Sequence, residues 1–244
     1  MSLLRPEWQT PPKVRTFYST RNGGVSDPPF HSLNLSLNTG DERGAVNENR
    51  MRLRPFMPNT AKWLQQAHSA RVVSADDVEI DATVADAAYT FTPDVVCVVT
   101  VADCLPVLFC TADGDGVAAA HAGWRGLAAG VLENTASALR AANGSGLRAW
   151  IGPAIGKRHY EIGEETRTSL CQTSEDEDCF APTEDGKWRA DLPELAARRL
   201  RRLDIQTTLS ELCSYSDSAD FFSARRDGTR SGRMAAFIWI DGNM

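Results

Sequence analysis

The stretch between residues 94 and 151 constrains the fold most, because short apolar runs alternate there with chain reversals. The Val-rich run Asp94–Val101 and the run Leu105–Cys110 have the length and composition of buried strands. Thr111–Gly116 contains two Asp-Gly steps and predicts a hairpin turn. A third strand is expected over Val117–His121. The region therefore predicts a sheet built partly from neighbouring segments of the chain.

A helix and one more strand complete this region. The sequence Gly123-Trp124-Arg125-Gly126 interrupts the third strand. Apolar residues then recur at steps of four over Leu127–Ala142, which predicts an amphipathic helix that ends at Asn143-Gly144. Arg148–Ile151 resumes as a strand. Because several strands are joined by turns while others are separated by helices, we expect a mixed rather than an all-parallel sheet.

The segments that flank this region carry weaker patterns. Residues 19–50 are rich in Gly, Asn and Pro and predict an ordered loop, and helical spacing begins within them, over Glu42–Phe56. Ala61–Ala70 is expected to contain a short strand. The acidic run within residues 172–187 is typical of a solvated loop.

The last fifth of the chain predicts one helix and two strands. Asp191 is followed three residues later by Glu194, a pattern that resembles a helix capping box. The helix is expected to reach about Leu203, with its arginines on the solvent side. These are Arg198, Arg199, Arg201 and Arg202. Asp220–Arg225 and Met234–Ile240 are predicted to be strands joined by a Gly-rich turn.

Charge and composition exclude several classes of protein. The 244 residues are 42% hydrophobic, and 26 Lys and Arg against 32 Asp and Glu give a formal net charge of −6. This balance argues against a general nucleic-acid binder, which would carry a basic face. The longest apolar stretch, Val95–Cys110, is interrupted by Asp103 and Pro106 and is too short to span a bilayer. We expect a cytoplasmic protein with no membrane span, no nucleic-acid partner and no obligate protein partner.

Three residues in separate segments could bind a metal ion. His121 ends a predicted strand, Cys104 lies at a break between two strands, and His68 follows Gln66-Ala67. Two imidazoles and a thiolate would supply three zinc ligands and leave a fourth position for water, the pattern of catalytic zinc sites. Two alternatives stay open. The three residues could be ordinary core and hydrogen-bonded residues, or Cys104 could be a nucleophile with His121 as its base and Asp103 orienting the imidazole.

Three arginines in Gly-rich or aromatic surroundings are candidates for binding an anionic substrate. Arg21 lies in an Asn-Gly-Gly loop, Arg125 follows Trp124, and Arg225 follows two phenylalanines. Guanidinium groups suit phosphate and carboxylate. Most arginines are simply solvated, so each assignment depends on where the fold places the side chain.

Several motifs together resemble one known family, the YfiH family, also called the multicopper polyphenol oxidoreductase or laccase-domain family. The motifs occur in order along nearly the whole chain: Thr20-Arg21-Asn22-Gly23-Gly24-Val25-Ser26, Ser32-Leu33-Asn34-Leu35, Glu48-Asn49-Arg50, Gln66-Ala67-His68, Ala102-Asp103-Cys104-Leu105-Pro106, His121-Ala122-Gly123-Trp124-Arg125-Gly126, Ile151-Gly152-Pro153-Ala154-Ile155-Gly156 and Phe221-Phe222-Ser223-Ala224-Arg225-Arg226-Asp227. Two departures concern the site. Ser69 stands where the family usually has Gly, and Ala224 stands where an aromatic residue is common.

The resemblance implies a single α+β domain over residues 1–244, layered α/β/β/α with mixed β-sheets. It implies a zinc site, with copper possible in its place, at His68, Cys104 and His121. It further implies a purine nucleoside phosphorylase with adenosine deaminase activity, whose substrates are a purine nucleoside and phosphate. Asp103, Cys104 and His121 are then the catalytic candidates, with Asp103 as a proton carrier. Arg21, Arg125 and Arg225 are the candidates for binding substrate and phosphate.

The resemblance also leaves other activities open. Members are described as amidases that edit peptidoglycan precursors (UDP-MurNAc-amino acid) and as laccase-like copper polyphenol oxidases, and a non-enzymatic zinc-binding domain is a further alternative. A laccase needs a mononuclear copper site and a trinuclear cluster rich in histidine. The chain contains four histidines. We therefore expect no multicopper chemistry, and favour the phosphorylase.

Overall fold

The computed structural model describes residues 2–143 and 146–244. Within these residues, six strands form the largest sheet. Their spatial order is β12 (Gln206–Leu209), β8 (Leu147–Ile151), β6 (Leu105–Thr111), β7 (Val117–Ala122), β4 (Ala87–Thr90) and β3 (Val72–Ser74). The two outer pairs, β12 with β8 and β3 with β4, are parallel, and the inner pairs are antiparallel. The prediction of a mixed sheet is confirmed.

Two smaller sheets accompany the largest one in the described part of the chain. The four-stranded sheet has the order β1 (Leu3–Leu4), β2 (Val14–Ser19), β13 (Met234–Ile240) and β5 (Cys97–Val101), and the three-stranded sheet has the order β10 (Phe180–Pro182), β11 (Trp188–Ala190) and β9 (Glu161–Ile162). All their pairs are antiparallel. The helices are α1 (Arg43–Leu53), α2 (Trp124–Ala128), α3 (Val131–Asn143), α4 (Glu164–Leu170), α5 (Leu192–Arg202) and α6 (Ala224–Asp227).

Alternation along the buried strands builds the layers. In β6, Phe109 belongs to a core cluster with Leu132 of α3 and Leu195 of α5, whereas its neighbour Leu108 belongs to a second cluster with Ile238 of β13. Successive side chains of a strand point to opposite faces, so one strand can contribute to two cores. The six-stranded sheet therefore lies between helices on one face and the four-stranded sheet on the other.

The far face of the four-stranded sheet carries the fourth layer. Phe237 stacks on Phe17 with ring centroids 4.3 Å apart, and it meets Trp63 edge-on at 5.7 Å. Leu53 of α1 and Leu35 of the preceding loop also belong to this cluster. The order of layers is helix, sheet, sheet, then helix and loop. This confirms the α+β class and the α/β/β/α layering, while the domain limits, residues 1–244, stay a prediction.

Several local predictions are wrong, each for a physical reason. Ala61–Ala70 is not a strand: it makes isolated bridges through Lys62 and Gln65 and otherwise follows an irregular path. Asp220–Arg225 is also not a strand. Its two phenylalanines are buried in an irregular segment, and Ser223 then accepts a hydrogen bond from the Arg226 amide at 3.1 Å and caps α6. Apolar character alone does not distinguish a strand from a buried loop.

The predicted helix over Leu127–Ala142 is two helices. The chain breaks at Gly130, whose φ of +88° lies in the left-handed region that favours glycine. The α2 helix already begins at Trp124 and includes Gly126, so the glycine-bracketed motif starts a helix rather than a loop. The sequence predicts that the helix ends at Asn143-Gly144. The α3 helix extends to Asn143, and Gly144 lies outside the described residues.

The acidic segment and the following helix are more buried than expected. Ser174–Cys179 forms a 3-10 turn in which Asp176 is fully buried and pairs with Arg202 at 2.9 Å. Arg199, predicted on the solvent side of α5, is only 2% exposed and donates hydrogen bonds to the carbonyls of Leu127 and Leu170. By bonding carbonyls at the ends of two helices, the buried guanidinium compensates part of its lost hydration.

Among the described residues, no helix is both long and apolar enough to cross a bilayer.

Candidate metal centre

Three chain segments bring the predicted ligands together. His121 lies in β7 opposite Pro106 of β6, so the β6–β7 pairing places it beside the start of β6, where Cys104 precedes Leu105. His68 reaches the same point from the loop before β3. One potential ligand atom from each of the three side chains lies within 4.8 Å of the others. His121 is buried, Cys104 half-buried and His68 exposed. The group is therefore open on one side.

Asp86 organises both histidines. One of its oxygens lies 2.8 Å from Nδ1 of His121, and the same oxygen accepts a hydrogen bond from the His68 amide at 2.9 Å. The other accepts from the amides of Ala67 and Ser69 at 3.2 and 2.6 Å. With Nδ1 of His121 bonded to a carboxylate, Nε2 is the nitrogen available to a metal, as in carboxylate–histidine–metal arrangements. These contacts also hold His68 in a left-handed backbone conformation, with φ +58°.

The electrostatics of the group favour a thiolate. Burial acts to raise the pKa of Cys104, but the charge and hydrogen bond of His121, together with a hydrogen bond from His68, lower it to about 6. Burial acts to lower the pKa of His121, but Cys104 and Asp86 raise it to about 9. For Asp86, burial acts to raise the pKa, and hydrogen bonds from His121 and Ser69 lower it to about 2. A deprotonated thiol is the form that binds metals.

Two glycines of the His121–Gly126 motif make room for this group. A Cβ on Gly123 would lie 2.9 Å from the His68 ring and 3.0 Å from the Cys104 sulfur. A Cβ on Gly126 would lie 2.9 Å from the carbonyl of Ser69, so α2 packs directly against the loop of His68. Ser69, which departs from the family pattern, donates from its hydroxyl to Asp86 at 2.7 Å and adds a contact to the site.

Asp103 has a different role from the one expected of an orienting residue for His121. Its carboxylate accepts hydrogen bonds from the Ser214 hydroxyl at 2.7 Å, the Ser223 hydroxyl at 3.0 Å and the Arg225 amide at 2.7 Å. Asp86, not Asp103, orients His121. Asp103 fixes the corner before Cys104 to the segment that follows β12. Its role as proton carrier stays a prediction.

A cavity of about 540 Å³ opens beside the three ligands. His68, Cys104 and His121 form part of its wall. The rest of the wall is largely polar, and Ala224 lines it where the family commonly has a larger residue. Small-molecule sites usually have volumes of about 300–1,000 Å³. The cavity therefore has room for a nucleoside and a small anion.

The three arginines predicted to bind substrate are not among the residues that line this cavity. The guanidinium of Arg21 donates to the carbonyls of His31 and Ser218 and stacks on Phe222. Arg125 is exposed and stacks on the adjacent Trp124, with 4.3 Å from its guanidinium carbon to the ring centroid. Arg225 is exposed and donates to the carbonyl of Glu161 at 3.1 Å. Their assignment to phosphate stays a prediction without geometric support from this cavity.

Other residues of the site had only weak signals in the sequence. Arg43, Arg50 and Arg233 line the cavity. Arg50 lies in one of the family motifs, whereas Asp86 is a single aspartate before β4 and belongs to none of them. Burial acts to lower the pKa of Arg233, and the charges of Cys104 and Asp103 oppose this. The position of these side chains comes from tertiary structure alone.

Comparison with known proteins places this geometry in a family. The family model described as multi-copper polyphenol oxidoreductase laccase matches residues 15–241. The chain belongs to this laccase family. A relative from Escherichia coli (strain K12), named purine nucleoside phosphorylase YfiH, is 44% identical over 98% of both chains. A relative from Pseudomonas aeruginosa, named purine nucleoside phosphorylase PA4543, is 43% identical over 97% of this chain and 98% of its own.

Two solved structures have the same fold as this chain. The crystal structure of Neisseria meningitidis protein NMB0706 matches with a TM-score of 0.92 and 41% identity, covering 98% of this chain and 99% of the other. That of YlmD from Geobacillus stearothermophilus matches with a TM-score of 0.88 and 30% identity, over 94% and 93%. Sequence and fold thus agree on the family, whose model is named for copper and whose curated relatives are named for phosphorolysis.

Proposed function

We propose that this protein is a metal-dependent purine nucleoside phosphorylase that acts on adenosine or inosine with inorganic phosphate, and that it also deaminates adenosine. One observation carries the proposal: His68, Cys104 and His121 open into a cavity whose wall also carries three guanidinium groups. A phosphate dianion needs fixed positive charge, and a nucleoside needs a concave site of this size. The names of the relatives support the same pair of substrates.

We infer that zinc is the metal that His68, Cys104 and His121 would hold. Two imidazoles and a thiolate are a donor set that suits zinc, Asp86 orients one imidazole, and Gly123 leaves space beside the ligands. When bound, zinc supplies a Lewis acid without redox chemistry, and copper is the alternative occupant. The other two histidines, His31 and His159, lie outside this group, so the chain lacks the ligands of a trinuclear copper cluster.

In the proposed phosphorolysis, an oxygen of HPO₄²⁻ forms a bond to the anomeric carbon of the ribose while the bond from that carbon to the purine nitrogen breaks. The electron pair of the broken bond goes to the purine, which gains the proton that the phosphate loses. The products are the free base and ribose 1-phosphate. The chain's own contribution is to hold phosphate and nucleoside in line and to stabilise the charge that develops between them.

Product analysis tests the proposal. Zinc-loaded protein is incubated with adenosine, with and without phosphate, and the products are identified by mass spectrometry. We expect adenine and ribose 1-phosphate only when phosphate is present, and inosine with or without phosphate. If no ribose 1-phosphate forms, the phosphorylase proposal is refuted. If no inosine forms, only the proposed deaminase activity is refuted. No turnover at all would direct attention to amide bonds in UDP-MurNAc-amino acids.

One mechanistic alternative has a geometric basis. In a covalent mechanism, Cys104 would be the nucleophile, His121 its base and Asp86 the residue that orients His121. The three side chains are arranged in this order in space. Under the metal proposal, a chelator abolishes activity and added zinc restores it. Under the alternative, chelation leaves activity intact while iodoacetamide destroys it. The variant Cys213→Ser is the control for alkylation, because Cys213 is another half-buried thiol.

A further inference from the structure

The three arginines of the cavity wall differ in how their charge is compensated. Nη1 of Arg50 donates to both oxygens of Asp81, at 2.8 and 3.0 Å, and its Nε donates to the carbonyl of Leu35 at 2.9 Å. Arg50 is therefore already paired with a carboxylate. Arg43 is exposed at the first position of α1. Neither therefore combines partial burial with the lack of a carboxylate partner.

Arg233 differs from both. It immediately precedes β13 and is half-buried, and its Nη1 donates to the carbonyls of Ser231 and Gly232 at 2.5 and 3.0 Å. Among the described residues, no carboxylate lies within ion-pair distance of its guanidinium, although the charges of Cys104 and Asp103 act on it, and Nε and Nη2 make no hydrogen bond to protein. Burial strengthens the interaction of such a charge with an anion, because water screens it less.

The backbone of Arg233 is fixed on both sides. Its amide donates to the side-chain oxygen of Asn34 at 2.9 Å, and its carbonyl accepts from the Leu35 amide at 3.1 Å. Asn34 is fully buried. With one guanidinium nitrogen bound to two carbonyls, little side-chain freedom remains to be lost on binding a ligand.

We propose that Arg233 binds the phosphate co-substrate through Nε–H and Nη2–H, the two donors that form a fork suited to two phosphate oxygens. The inference rests on the proposed function. Arg233 is not one of the three arginines that the sequence analysis selects as candidates. Arg233 shares the cavity with Cys104 and His121, so a phosphate bound there lies in the same enclosed space as the ligand group.

Calorimetric titration with inorganic phosphate tests this assignment without turnover. The zinc-loaded wild type, Arg233→Gln and Arg15→Gln are compared. Arg15 is the control because it is a surface arginine that pairs with Asp241 and does not line the cavity. We expect Arg233→Gln to weaken phosphate binding by about tenfold or more, since hydrogen bonds to charged groups are strong, and Arg15→Gln to change it less than about twofold. Equal affinity of Arg233→Gln and wild type, or no phosphate binding by wild type, overturns the assignment.

Kinetics separate this inference from the proposed function. We expect Arg233→Gln to raise the KM for phosphate by about tenfold and to change the KM for the nucleoside by less than about threefold. A higher phosphate KM in Arg21→Gln, with Arg233→Gln unchanged, would return the role to Arg21. If phosphate binding depends on Arg233 but the protein performs no phosphorolysis, the proposed function is refuted and the phosphate site is kept. If Arg233→Gln performs phosphorolysis normally, the phosphate site is refuted and the proposed function is kept.

A second variant covers a failure to fold. Arg233→Lys keeps the charge and loses the planar fork, so we expect about threefold weaker phosphate binding. If the circular dichroism spectrum of Arg233→Gln differs from that of the wild type, the phosphate affinity of Arg233→Lys is compared with that of the wild type instead. Equal affinities of these two proteins overturn the assignment.

Discussion

Asp86 connects the two histidines of the candidate metal centre. Its carboxylate faces the ring of His121 and accepts hydrogen bonds from three successive amides around His68. It is fully buried, so each of these contacts forms without competition from water. One side chain thus sets the orientation of one ligand and the backbone conformation of another.

The variant Asp86→Asn tests this role. The amide keeps the shape of the side chain but loses an acceptor and places a donor against backbone amides. We expect zinc affinity to fall by about 10- to 100-fold, as for other residues that orient metal ligands. A competition titration with a coloured chelator measures it. Asp76→Asn, which changes an exposed aspartate of a 3-10 turn, is the control. Equal zinc affinity of Asp86→Asn and wild type would contradict the account.

The same carboxylate predicts an acid-sensitive contribution to stability. The pKa of Asp86 is lowered in the folded state from its ordinary value of 3.8 to about 2. The folded state is therefore stabilised above pH 4, and this contribution is lost as the pH falls from 4 towards 2. Since one pKa unit corresponds to about 1.4 kcal/mol, the contribution is on the order of 2 kcal/mol.

Urea unfolding of metal-free protein between pH 5 and 2 measures this contribution. The wild type should lose on the order of 2 kcal/mol more of its free energy of unfolding than Asp86→Asn over this range. Parallel pH profiles for the two proteins would show that Asp86 titrates normally.

At the scale of elements, the start of α2 is fitted to the ligands. The helix begins after Gly123, where a side chain would meet both His68 and Cys104. Because φ of Gly123 is −68°, the backbone itself would accept alanine, and the restriction is one of space. The glycine is therefore required by what lies beside it rather than by the turn.

The variant Gly123→Ala should weaken zinc binding by about tenfold or more, because ligand atoms displaced by tenths of an ångström lose coordination geometry. Gly163→Ala is a matched control: Gly163 also precedes a helix, with φ −83°, and nothing lies within 4 Å of the position of its Cβ. The measurements are chelator competition and circular dichroism. Similar zinc affinities for the two variants would mean that the ligand group tolerates a methyl group beside it.

The elements that could be predicted are those with a strong apolar pattern. The strands β6, β7 and β13 are nearly continuous apolar runs, and α3 has helical spacing, because these segments bury one or two whole faces. The irregular segments could not be predicted in this way. Phe221 and Phe222 are buried without belonging to a strand, and Arg199 is buried because two helices end against it. Such burial depends on neighbours that are distant in sequence.

At the scale of the whole molecule, the two halves of the site were predictable to different degrees. His68, Cys104 and His121 are named by the family motifs, and the structure brings them together. The cations of the cavity could not be chosen from motifs, since proximity in sequence to a ligand does not decide which way a guanidinium points. Arg125 lies four residues from His121 and still stacks on Trp124 outside the cavity.

The layered fold explains why the site lies where it does. The six-stranded sheet supplies His121 from β7 and the corner before β6 supplies Cys104, while Arg50 comes from α1 in the outermost layer and Arg233 from the residue before β13. The cavity therefore lies where several layers meet. This arrangement accounts for the spread of the family motifs along nearly the whole chain.

The most direct test of the central claim is the rate of ribose 1-phosphate formation from inosine and phosphate. Four samples are compared: zinc-loaded wild type, chelator-stripped wild type, the stripped protein after zinc is restored, and Cys104→Ser. We expect phosphate-dependent product from the loaded and restored wild type and a rate at background for the stripped protein and the variant. Full activity of the stripped protein or of Cys104→Ser would contradict it.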